Sequence, residues 1–390
     1  MPAIVRSERF SAVALLTAAV LGLAAANSPL GPGLEHLLAL HTPWSAVGLD
    51  LSIAHWVSDG LLVAFFLLIA IELKHELTIG QLSDPRTAIV PAIAAVGGVV
   101  VPAVLYLAVA QGTGLEHGWP IPTATDIAFA LGILAIFGRG LPSRLRVFLL
   151  ALAVLDDLIA IVIIAIVFAH GTDLGLLGLA VVALAAFAVL ARSLRRVGRA
   201  RPAIVVGLVV LGVVTWWLVL HSGVHATIAG VALGLVLPRR AGHTVRHAVE
   251  PWSNGVVLPV FAFTSAAVAV PAVGFGALSP AFWAIVLALP VGKVVGITLF
   301  GGVATQVFRH PERPTLSLSA VATVGVLGGV GFTVSLLMNE LAFVRTPRVA
   351  DQGTLAVLVG SGVAMVASAV VVALGARRAR SERAAAPGAP

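Results

Sequence analysis

The chain of 390 residues has no cysteine, one tyrosine, three methionines and only two lysines, Lys74 and Lys293. The missing cysteine excludes disulfides, thiol catalysis and Cys-ligated metal or cluster sites. Charge is also scarce: 11% of residues are charged and 59% are hydrophobic. A soluble domain carries about 25% charge and about 45–50% apolar residues. So little charge cannot cover a water-facing surface, and disorder needs the opposite balance. The class that remains is an all-α polytopic membrane protein, with room for about a dozen spans at ~20 residues each.

What is present supports that reading. Apolar runs of membrane length fall near 10–27, 55–74, 87–109, 120–138, 144–169, 174–193, 202–220, 223–238, 251–270, 279–303, 317–340 and 354–376. With this count, about 21 of the 24 basic residues lie on one side, among them Arg6, Arg9, Arg139, Arg195, Arg309 and Arg377. Only Arg345 and Arg348 lie on the other, and Lys293 lies within a span. Positive charge marks the cytoplasmic side, so both termini are expected there. The net charge of +7 is therefore a topology signal spread between spans, with no basic face for nucleic acid. The transmembrane domain is expected over 1–378, with a disordered cytoplasmic tail at 379–390. The outer segment 28–54, with an alternating stretch at 47–53, reads as a plain loop or a short strand pair forming a homodimer contact.

The few charges inside spans cost ~2.5–3.5 kcal/mol each at the bilayer centre, which makes each a candidate for function. Asp156 and Asp157 sit in Leu149–Val162 with apolar residues for more than two turns on both sides. Neighbouring helical positions are about 100° apart, so the two carboxylates face different partners. Two adjacent carboxylates also resist ionising together, which suits proton carriage. Asp126 follows Pro120, Pro122, Thr123 and Thr125, a pattern that starts a helix in mid-membrane. Lys293 needs a counter-ion, and the aspartates are the obvious candidates. A glycine cluster at Gly325, Gly328, Gly329 and Gly331 breaks a second span. Paired interrupted spans point to a transporter site. Spans four and eleven are expected to be interrupted and to cross, with an inverted repeat relating spans three to five and ten to twelve.

These motifs together resemble the NhaA family of sodium/proton antiporters. The resemblance rests on Ala124–Gly132, Leu155-Asp156-Asp157, Ser222–Gly230, Val291-Gly292-Lys293, Gly329–Ser335 and the stretch from Phe65 through Glu72 to Leu77. It implies a non-enzymatic inner-membrane antiporter exporting sodium or lithium against protons, electrogenic and pH-regulated, with no cofactor. It implies Asp157 as the ion ligand that holds Na+, Asp156 as a proton carrier paired with Lys293, and Thr125 and Asp126 beside the site. Glu72, Glu76, His225 and Glu250 correspond to positions of pH response, and Asp59 to a carboxylate at the start of span two. There are departures: Arg246 replaces a usual glutamate, His75 a usual arginine, and Ala70 a usual glycine. An intramembrane protease fits less well, because the aspartates are adjacent and Ser222 and His225 share one segment. A passive cation channel fits less well, because Lys293 would repel cations.

Overall fold

The computed structural model describes residues 8–44, 48–169, 171–194, 201–270, 275–308 and 316–385. Arg6, Arg195, Arg196, Arg199, Arg309 and Arg313 of the charge tally lie outside the described residues. Helices follow one another as α1 (Glu8–Ala26), α2 (Gly31–Ala39), α3 (Ile53–Thr78), α4 (Pro85–Ala110), α5 (Ile127–Phe137), α6 (Ser143–Val167), α7 (Leu174–Ser193) and α8 (Arg201–His221). Then come α9 (Thr227–Val236), α10 (Arg239–Trp252), α11 (Leu258–Ser265), α12 (Pro280–Val307), α13 (Leu318–Gly328), α14 (Phe332–Ala342) and α15 (Pro347–Ala385).

Among the described residues, eight spans are long and apolar enough to cross a membrane, or up to ten when bent pairs are joined. The expected twelve runs therefore do not all appear as full-length helices. The run at 223–238 yields only the short helix α9, which starts after a left-handed turn at Gly223 (φ 79°). The run at 251–270 is divided, because Pro251 removes a backbone donor and a π-helical turn at Ser253–Val257 follows. Helix α15 continues to Ala385, so 379–385, expected to be disordered, is helical; 386–390 lie outside the described residues. In the outer segment, residues 45–47 lie outside the described residues. The rest of it holds helix α2 and two isolated antiparallel bridges, His41 with Ser52 and Trp44 with Leu49, without a strand among the described residues.

The described residues form two compact units. One comprises the described residues of 17–80 and 161–267; the other comprises those of 8–16, 81–160 and 268–385. In the first, α9 lies on α3 through small residues. A Cβ placed on Gly234 would lie 2.7 Å from Ala70 Cβ, so the single methyl of Ala70 already fills this contact. Lys74 closes the far end of α9 by donating from Nζ to the carbonyls of Leu235 and Leu237 at 2.7 and 2.6 Å. A cation at a helix C-terminus satisfies orphan carbonyls and complements the dipole.

In the second unit the order long helix, interrupted span, long helix occurs twice: α4, 116–137, α6; then α12, 318–342, α15. The two long helices α4 and α12 meet along glycines. A Cβ on Gly292 would lie 2.7 Å from Pro102 Cα, and one on Gly98 would lie 2.9 Å from Ile297 Cγ1. Backbone cannot yield at such a seam, and overpacking costs ~1–3 kcal/mol. Gly292→Val is therefore expected to lower stability by about 1–3 kcal/mol, read as a loss of melting temperature in detergent, whereas Gly178→Ala, in a helix interior facing open space, does not lower it.

Candidate functional site

Both expected interruptions are present. The fourth run has 3₁₀ turns at Glu116–Gly118 and Ile121–Thr123, then extended backbone at 124–126, and only then helix α5. The eleventh splits into α13 and α14, bent by 50° across a break of at most four residues. Extended backbone in hydrocarbon must find partners within the protein, and here each break supplies the other. Asp126 N–H donates to the Val330 carbonyl at 2.6 Å. Thr125 Oγ1 lies 2.9 Å from the Gly328 carbonyl, and Ser335 Oγ donates to the Ile121 carbonyl at 2.7 Å. The two breaks therefore meet, with short hydroxyl side chains from each side bonding carbonyls of the other.

Asp126 joins two helix starts. As N-cap of α5 it accepts from Phe129 N–H at 3.2 Å through Oδ1. Its Oδ2 accepts from Thr333 N–H at 3.1 Å and from Thr333 Oγ1 at 2.7 Å, in the first turn of α14. A carboxylate at a helix N-terminus is stabilised by the dipole, and this one serves two N-termini while only 4% exposed. Phe129 and Phe332 pack edge-on beside it, with ring centroids 5.0 Å apart.

The second cluster lies on α6 and α12. Asp156 and Asp157 are 1% and 6% exposed, and Lys293 is fully buried. Lys293 Nζ meets Asp156 Oδ2 at 2.7 Å. A π-helical turn at Ala288–Gly292, containing Pro290, immediately precedes Lys293. Such a turn shifts the helical register, and π-turns occur often at functional sites. Thr125 Oγ1 lies 2.7 Å from the same Asp156 Oδ2. A hydroxyl has one proton, so Thr125 divides its donation between the carboxylate and the Gly328 carbonyl. The other oxygen, Asp156 Oδ1, is buried with no hydrogen-bond partner. A carboxylate oxygen with open lone pairs in a buried site is a ready ligand for a hard cation or a proton. Among the described residues no three His, Asp or Glu side chains converge on one metal position.

The remaining candidates lie in the first unit. Arg246 of α10 lies 3.3 Å from Glu72 of α3 and 3.9 Å from Glu250 one turn along its own helix. The arginine thus turns two like charges into one linked group. Glu76 is 8% exposed on α3. His225 Nδ1 lies 3.5 Å from Asp59 Oδ1, while Trp216 Nε1 donates to the Asp59 carbonyl at 2.7 Å. Glu72 and Glu250 are therefore brought together, and His225 belongs to a separate pair with Asp59.

Sequence reasoning missed the parts of Thr333 and Ser335. The motif Gly331-Phe332-Thr333-Val334-Ser335 carries two hydroxyls directly after a break, which is the available signal. A transporter-type membrane protein is the class that these features define: many apolar helices, two crossed interruptions and a buried ion pair beside them. The chain belongs to the family described as Na+/H+ antiporter 1, which matches residues 2–372. It is 59% identical over 388 residues to the Na(+)/H(+) antiporter NhaA 2 of Clavibacter michiganensis subsp. michiganensis, covering 99% of this chain and 95% of that one. The Na(+)/H(+) antiporter NhaA of Tropheryma whipplei (strain Twist) is 47% identical over 92% of this chain and 91% of its own length. That of Streptomyces antibioticus is 45% identical over 94% and 78%.

Thr333 supplies two donors to Asp126, and losing one neutral-to-charged hydrogen bond costs ~1.5–3 kcal/mol. Thr333→Val removes Oγ1 but keeps the N–H, so it is expected to lower stability by about that amount, measured by denaturation in detergent; Thr333→Ser should restore it.

Proposed function

We propose that this multi-pass membrane protein is a secondary antiporter that exports sodium or lithium ions in exchange for protons across the bacterial inner membrane, with both termini cytoplasmic. It is a transporter and not an enzyme. The observation that carries the mechanism is the fully buried Lys293–Asp156 contact with Asp156 Oδ1 left unpartnered. Sodium is a hard ion that takes oxygen ligands. Asp157 supplies the principal ligand, assisted by Asp156 and by Thr125. Asp126 holds the crossed backbone in place around them.

Protons and sodium compete for the same carboxylate oxygens, so loading one expels the other and the fluxes couple without a separate gate. When sodium draws Asp156 away, Lys293 loses its counter-charge in a dry site. Asp157 with Asp156, or Asp157 with Lys293, thus provides about two protons per sodium. One net charge then enters per cycle, and the potential contributes ~2.3 kcal/mol per 100 mV to export. The pH response is assigned to Glu72, Glu76, His225 and Glu250. Arg246 holds Glu72 and Glu250 in one ion-paired group, which supports a set-point particular to this chain. The bridged outer segment 28–54 is the proposed homodimer contact.

In everted vesicles carrying a pH-sensitive dye, sodium or lithium is expected to dissipate the proton gradient. Asp157→Asn should abolish that response at unchanged expression; residual exchange would remove Asp157 as the ligand. Lys293→Gln separates the two proton carriers. Loss of potential-driven transport assigns the second proton to Lys293, and its retention assigns it to Asp156.

A further inference from the structure

Helix α10 carries a feature that ion exchange does not use. His243 and His247 lie one turn apart, both exposed, with Nε2 of one 3.2 Å from Nε2 of the other. Their ring centroids are 4.4 Å apart at an interplanar angle of 71°. The two nitrogens share a hydrogen bond whose donor depends on the tautomer, and the same approach brings both Nε2 lone pairs within reach of one ion when each ring carries its proton on Nδ1. Two imidazoles bound to a tetrahedral zinc at 2.0–2.1 Å place their nitrogens about 3.3 Å apart. The spacing His-x-x-x-His on one helix face is a recurrent zinc-ligand pattern for this reason.

We propose that His243 and His247 form a surface site for a divalent transition ion of the zinc class. Two neutral imidazoles supply adjacent positions, and water completes the shell. Glu250 continues the same stripe one turn after His247, but it faces Arg246 at 3.9 Å. Among the described residues no third His, Asp or Glu converges with the pair, so the site is open and two-coordinate from protein. Arg239, Arg240 and Arg246 on the same helix set a positive local field that disfavours any cation held by charge alone. Imidazole nitrogens bind zinc, copper and nickel through their lone pairs, whereas sodium and magnesium prefer oxygen. The site therefore discriminates against the transported ion. It also sits on the helix that joins Glu72 through Arg246, so an ion bound across one turn stiffens the segment carrying that link.

The test uses the full chain in detergent, purified without a polyhistidine tag and stripped with a chelator. Zn2+ is titrated by calorimetry into the wild type, His243→Gln, His247→Gln and the control His36→Gln. The expected result is about one Zn2+ bound per chain, weakened roughly tenfold or more by either substitution within the pair and unaffected by the control. With Cu2+, paramagnetic resonance should show two equatorial nitrogens in the wild type and a single one in either variant. No zinc uptake, or uptake unchanged in both pair variants, would overturn the proposal. The inference stands apart from the antiport reading: failed sodium exchange would leave it intact, and failed zinc binding would leave antiport intact.

Discussion

Everything in the second unit is arranged around one costly interaction, the buried contact between Lys293 and Asp156 at 2.7 Å. Two charges out of water pay several kcal/mol each in desolvation, and their attraction returns this only with good geometry and further hydrogen bonds. The surrounding structure supplies both. Thr125 donates to the same carboxylate oxygen, the glycine seam between α4 and α12 brings the lysine-bearing helix in close, and the π-turn before Lys293 shifts its register. A pair so close to balance is poorly suited as a structural rivet and well suited as a switch. In the proposed mechanism, a cation or a proton arriving at Asp156 Oδ1, which has no hydrogen-bond partner, is what works that switch.

The crossed interruptions are the second constraint, and they follow from the first. A dry site needs ligands other than full charges, and broken helices offer them as carbonyls and helix ends. Exposed backbone at that depth is tolerable only if it is paired. Here the two breaks pair with each other, and Asp126 closes both helix starts with a single carboxylate. Its position is thus explained by backbone satisfaction as well as by charge.

Much of this is legible in the sequence because membrane burial makes charge conspicuous. Asp126, Asp156, Asp157 and Lys293 stand out against apolar surroundings, and all four are 6% exposed or less. The breaks are legible through Pro120, Pro122 and the glycines before Phe332. Which aspartate meets the lysine is not legible from periodicity, which separates the two carboxylates by angle and names no partner. The contacts of Thr333 with Asp126 and of Ser335 with Ile121 span 207 and 214 residues, a separation no local pattern reaches. Span counting is weakest where apolar character outlasts helix regularity, as at α9 and at Pro251. Lys74 counts in the sequence only toward topology, whereas in the fold it caps α9.

The central claim is that sodium and protons occupy the same carboxylate oxygens in turn. Calorimetric titration of sodium into the purified protein, repeated in buffers of different ionisation enthalpy, counts protons released per ion bound. The account predicts proton release on sodium binding in the wild type, with apparent affinity falling as pH falls. Sodium binding that releases no proton and ignores pH would contradict it.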